Sequence, residues 1–223
     1  MSQDEWGAAV ARVVGREVQR YRKRQGLSAE QLAQKCTAAG LPMKRPVLAN
    51  LEIGRRPTVS LVELLVLGKV LGVPPLLLIF PVGREEMTEV LPGREIPTWQ
   101  AAKWFTGEEA FPTRASDEWV VSHEDHAAWE KGGEPLDRFR WNDRYFADLR
   151  GARGRATGQR KAAETAKTDA ERDAMLSAAK AEDHLAKQIE ANIRRNRQGM
   201  REAGLTPGKL RPESAHIDPE GDE

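Results

Sequence analysis

The chain has 223 residues, 39% hydrophobic and 31% charged, with a formal net charge of +1. That length predicts one or two domains, and the polarity predicts that part of the chain is solvated helix or tail. The longest apolar run, Val70 to Val82, is broken by Gly72, Pro74, Pro75 and Pro81. A spanning helix needs ~20 apolar residues, so no membrane segment is expected. The start, MSQDEWGAAV, has early acids and no apolar stretch, so no signal peptide is expected. Cys36 is the single cysteine, which rules out an intrachain disulfide and fits a reducing cytoplasm. Residues 1–80 hold 12 Lys and Arg against 6 Asp and Glu, whereas the remainder holds 23 against 28. A basic front half suggests a polyanion-binding module followed by something else.

Trp6 to Gln25 reads as a first helix, with Val10, Val13, Val14, Glu17, Val18 and Tyr21 on one face and a C′ stop at Gly26. Ser28 and Gln31 form a capping box for a second helix, about Ala29 to Ala38, which turns Leu32, Ala33 and Cys36 inward. Cys36 reads as a small buried hydrophobe. Ser60 or Thr58 can cap a fourth helix, LVELLVLGKVLG, and Pro74-Pro75 can open a short fifth. Five short helices with brief connections predict a compact all-α domain over residues 1–82.

Between them lies MKRPVLANLEIGRRP, residues 43–57. The residue before a proline is pushed out of the α region, so Arg45 is expected as the cap and Pro46 as the first helical residue. The helix then runs to Ile53 and stops at Gly54. Leu48 and Leu51 point to the core, and Val47 and Asn50 point away from it. Lys44 and Arg45 sit at the helix mouth, and Arg55 and Arg56 follow its end. An exposed helix start flanked by cations suits a duplex, base edges meeting the helix and phosphates the cations.

These residues resemble the lambda-repressor-like helix-turn-helix domains of the xenobiotic-response-element family. The matching features are the Leu27-to-Ala33 entry, Leu48 and Leu51, Glu52, Gly54-Arg55-Arg56-Pro57, and the Leu-rich fourth helix ending Leu71-Gly72-Val73-Pro74. The resemblance covers about residues 8 to 80. It implies double-stranded DNA binding through the helix near Lys44, usually as a dimer on a two-fold symmetric site. It also implies that Glu52 is structural, bonding to backbone or a nearby arginine. The chain departs from the family in a longer linker before this helix, and in Lys44 and Pro46 where the family has small hydroxyl residues.

Residues 83–134 carry repeated Pro and Gly, and Val90-Leu91 and Ile96 are too interrupted to predict strands, so an irregular, Trp-rich linker or small subdomain is expected. Its tryptophans either staple the linker to the helices or line a site for a small molecule or partner. His123 and His126 read as part of a short exposed helix capped by Ser122 and ending before Gly132-Gly133, rather than as metal ligands. Residues 135–203 predict long, charged, coiled-coil-like helix. Met175, Ala178, Leu185, Ile189 and Ile193 form its stripe, and Thr168 with Glu171 can cap the second arm of a hairpin. Residues 204–223 read as a disordered tail.

The expected function is a cytoplasmic, sequence-specific transcriptional regulator, a repressor acting as a homodimer. Lys44, Arg45, Val47 and Asn50 would face base edges, and Arg55 and Arg56 phosphates. An antitoxin-type protein, or a ligand sensor whose C-terminal part binds a partner protein or effector, is the alternative. No catalytic triad, phosphate-binding glycine loop or nucleophile motif occurs, so neither an enzyme nor a cofactor is expected.

Overall fold

The computed structural model describes residues 3–219. The chain is 67% helical with a few short strands, an all-α fold. It divides into two compact units, Met1–Ala127 and Ala128–Glu223.

The first unit opens with α1 (Gln3–Arg24), α2 (Ala29–Ala38), α3 (Arg45–Glu52), α4 (Leu61–Leu71) and α5 (Leu76–Ile79). Their boundaries follow local chemistry. Ser28 and Gln31 cap α2 reciprocally, as Ser60 and Glu63 cap α4. Gly54 and Gly72 follow α3 and α4 at φ of +71° and +62°, where a side chain would be strained. Val14, Val18, Leu32, Leu48, Leu51 and Leu67 are buried together, with Cys36 among them. Burial pushes the Cys36 thiol pKa up, so this thiol is packing and not a nucleophile.

One contact sets the crossing of α1 and α3. Gly15 is buried, and a Cβ built on it would lie 2.1 Å from the Leu51 carbonyl oxygen. Only glycine lets the backbones come this close. Glu17, on the same helix, is 3% exposed and is held by Arg20 and by Arg84 beyond α5.

Of the two forms expected for the middle of the chain, the small subdomain is the one its elements fit. β1 (Met87–Leu91) and β2 (Arg94–Pro97) form an antiparallel hairpin, α6 spans Thr98–Thr106, and β3 (Thr113–Ala115) pairs with β4 (Glu118–Val120). Gly93 takes φ +71° in the first hairpin, and its amide donates to Glu89 Oε1 at 2.7 Å. Val90, Ile96, Ala101 and Ala102 bury against Phe80, at the end of α5. The hairpin is held by this shared core rather than by strand length, which is why its short, interrupted runs predict little. Trp104 and Trp119 join that core, Trp104 meeting Phe111 edge-on at 5.3 Å, while Trp99 is 58% exposed.

The helix expected at His123 begins there, with the Asp125 amide donating to Ser122 Oγ at 3.0 Å. It does not stop before Gly132-Gly133. As α7 it runs from His123 through Pro135 to Glu164. Pro135 removes one amide, and the helical hydrogen bonds on either side carry the chain past it. Within the second unit α7 is followed by α8 (Asp169–Glu202), whose Thr168–Glu171 capping box marks the turn.

Arg153–Glu190, Arg155–Glu182 and Arg160–Asp183 pair across the two arms, a register only an antiparallel hairpin allows. Its core is Leu149, Ala152, Ala186, Ile189 and Ile193. The expected stripe on α8 holds at Ile189 and Ile193 but shifts by one residue nearer the turn: Ala179 and Ala186 are buried, and Leu185 is 39% exposed.

The expected disordered tail is corrected as far as Pro219, and Glu220 to Glu223 lie outside the described residues. A 3₁₀ turn, Pro212–Ile217, buries Ile217 completely, and Asp218 receives both Arg197 and Arg201. Arg197 is 1% exposed, so this cation is not part of a solvated face. Burial pushes the Asp218 pKa up, but the hydrogen bonds from Arg197 and then Arg201 outweigh it, leaving the group below its ordinary value. A depressed carboxylate pKa stabilises the fold above the unfolded value of about 4, and that contribution is lost as pH falls from there through the folded value. The unfolding midpoint of this unit should therefore drop below about pH 4 in the wild type, and Asp218→Asn should flatten that acid limb. Circular dichroism melts across pH check this, and an unchanged acid limb in the variant would contradict it.

Candidate nucleic-acid interface

The linker before α3 is longer than a tight turn, and two residues fix it. The Thr37 hydroxyl accepts from the Met43 amide at 3.2 Å and donates to the Ala33 carbonyl at 3.1 Å. The Met43 side chain is buried, so the chain enters α3 from a fixed point. The exit is fixed by Glu52, which takes two hydrogen bonds from the Arg22 guanidinium, each 2.6 Å. Arg22 also donates to the Leu27 carbonyl at 2.7 Å. The Glu52 hydrogen bond raises the Arg22 pKa above its ordinary value against the opposing effect of burial. Glu52 thus joins α3 to α1 and faces the protein.

The cap is Lys44 rather than Arg45. Lys44 is extended (φ −90°, ψ 144°) and its carbonyl accepts from the Val47 and Leu48 amides at 2.9 and 3.2 Å. Arg45 is already the first helical residue, and Pro46 occupies the second position, where its missing amide has no helical partner to lose. The shift leaves the facing pattern unchanged. Leu48 and Leu51 are fully buried, whereas Lys44, Arg45, Val47, Asn50 and Arg55 are exposed.

Arg56 stands apart from the other five. It is half-buried and grips Glu63 with two bonds, 2.6 and 3.1 Å. Burial pushes the Glu63 pKa up, yet the bonds from Arg56 and the Ser60 cap bring it below its ordinary value. Arg56 therefore joins the α3–α4 connection to the start of α4, unlike Arg55, which has no ion-pair partner among the described residues. Glu30, Gln34 and Thr37 of α2 share a shallow groove with Lys44 and Arg45, so the basic helix mouth opens onto α2. Thr37 and Met43 went unread in the sequence. The signal available was a lone apolar residue immediately before two cations.

The described helices thus present a two-helix corner, α2 and α3, with the solvent face of α3 clear of the core. Residues 13–78 match the family model of a helix-turn-helix domain. No curated protein and no solved structure matches the chain. The matched span takes in α2 to α4 with part of α1 and α5. Among the described residues no three metal-ligating side chains gather, and no helix is long and apolar enough to cross a membrane.

Proposed function

We propose that the protein is a sequence-specific transcriptional regulator, a repressor of the xenobiotic-response-element type, that docks α3 in the major groove. The observation that carries this reading is the mouth of α3. Lys44 and Arg45 are exposed there with no ion-pair partner among the described residues, beside outward-facing Val47 and Asn50, on a helix locked at both ends. Asn50 suits adenine and Arg45 guanine, while Lys44 and Arg55 supply charge to the backbone. Arg56 meets phosphate only from its place beside Glu63. Residues 1–82 do the reading, and the parts beyond serve assembly or control.

Action as a homodimer on a two-fold symmetric operator follows from scale. A single small module buries about 600–1,000 Å² on DNA, and pairing two half-sites a helical turn apart supplies the rest. Leu61, Val62 and Leu65 leave an apolar strip exposed on α4, which supports association. Arg45→Ala with Asn50→Ala is expected to lose roughly 1–3 kcal/mol of base discrimination per residue. Gel-shift titrations at fixed salt against the operator and a scrambled duplex measure it. An unaltered preference in the double variant would remove α3 from the reading role. Selection from a random DNA pool should enrich a palindrome.

A further inference from the structure

The C-terminal unit holds a cavity of about 390 Å³ between α7 and the chain that follows α8, a size typical of small-molecule pockets. Phe139, Phe146 and Leu149 line it from one side of α7, and Leu210 joins them from the terminal segment. That segment is held in place: Arg197 donates to the Gly208 carbonyl at 2.8 Å while bound to Asp218.

The polar lining is not self-satisfied. Asn142 contributes to the lining through its other atoms, its Oδ1 being shielded even from water. Arg150, Lys209 and Arg211 also line it, and none has an ion-pair partner among the described residues. Arg153 and Arg197 are neutralised by Glu190 and Asp218. Asp143 and Glu213 add acceptors to the same lining. An occupant that satisfies all of this has a flat apolar body, an anionic group for the unpaired cations, and a donor for the two carboxylates.

We propose that this cavity binds a small aromatic carboxylate carrying a hydroxyl or amino group. The site lies wholly in the C-terminal unit, so it stands or falls independently of the DNA reading.

Calorimetric titration of the full chain tests it with three matched probes: 4-hydroxybenzoate, its neutral methyl ester, and benzoate, which lacks the donor. 4-Hydroxybenzoate should bind one per chain. The ester should be about tenfold weaker or worse through loss of charge-assisted bonds, and benzoate similarly weaker because it offers the Asp143 and Glu213 carboxylates no donor. Arg150→Ala with Arg211→Ala should erase the preference for acid over ester. Asp143→Asn with Glu213→Gln should erase the preference for the hydroxyl while retaining the preference for acid over ester, which shows that the variant is folded. No saturable binding of 4-hydroxybenzoate, equal affinity for all three probes, or preferences unmoved by the variants would each overturn the proposal.

Discussion

Gly15→Ala is expected to unfold the helix-turn-helix domain or displace α3 from it. The added methyl would sit 2.1 Å from the Leu51 carbonyl oxygen and 2.9 Å from its carbon, both backbone atoms. Backbone cannot swing aside as a side chain can, so α1 and α3 must separate, opening the core around Leu48 and Leu51. Overpacking a core costs about 1–3 kcal/mol and occasionally more, and a contact this short belongs at or above the top of that range. The full chain should show the melting transition of its first unit lowered by about 10 °C or more, with operator binding lost at temperatures where the wild type binds. The control is Gly154→Ala in α7, where a Cβ would meet nothing within 4 Å. There, better helix propensity should raise stability by about 1 kcal/mol. A Gly15→Ala protein as stable as wild type would mean that α1 and α3 cross differently.

Glu52→Ala should have an effect of the same size, and it should weaken DNA binding although Glu52 faces the protein and not the exposed side of α3. Its carboxylate and the Arg22 guanidinium are 4% and 11% exposed. Removing one partner of a buried pair strands the other, at a cost of about 3–5 kcal/mol. The pair Arg16–Glu85, at 59% and 44% exposed, is a surface contact worth about 0–1 kcal/mol. Arg16→Ala should therefore be close to silent. Replacing both buried partners, Arg22→Met with Glu52→Leu, should recover most of the stability, since no charge is then stranded. Denaturant unfolding of the single and double variants separates the two cases. If the double variant is no better than Glu52→Ala, the cost lies in packing and not in charge.

The two variants also show which parts of the fold a single sequence could disclose. The five N-terminal helices were legible because their signals are local: Ser28 with Gln31, Ser60 with Glu63, and the glycines after α3 and α4. The facing of α3 was legible for the same reason, since Leu48 and Leu51 repeat at helical spacing. The hairpin of β1 and β2 was not, because its inward residues gain meaning only from Phe80 and α6. The ordered C-terminus was hidden in the same way: Asp218 reads as a solvated acid until Arg197 and Arg201 are seen around it. Arg56 looked equivalent to Arg55, and only the fold distinguishes them, by placing Glu63 within reach of one. The cap at Lys44 moved by one residue because the first helical position tolerates a residue before proline when the extended residue lies just upstream.

Thr37 and Met43 give the protein freedom of another kind. With Met43 buried and tied to Thr37, α3 takes its position from the ends of the linker and not from its span. Gly40, at φ +92° with open space around it, lies between those anchors. Doubling a flexible loop costs only about 0.6 kcal/mol in closure entropy. The linker is thus a place where length can drift over evolutionary time, or be altered by design, without changing which side chains α3 offers to a partner.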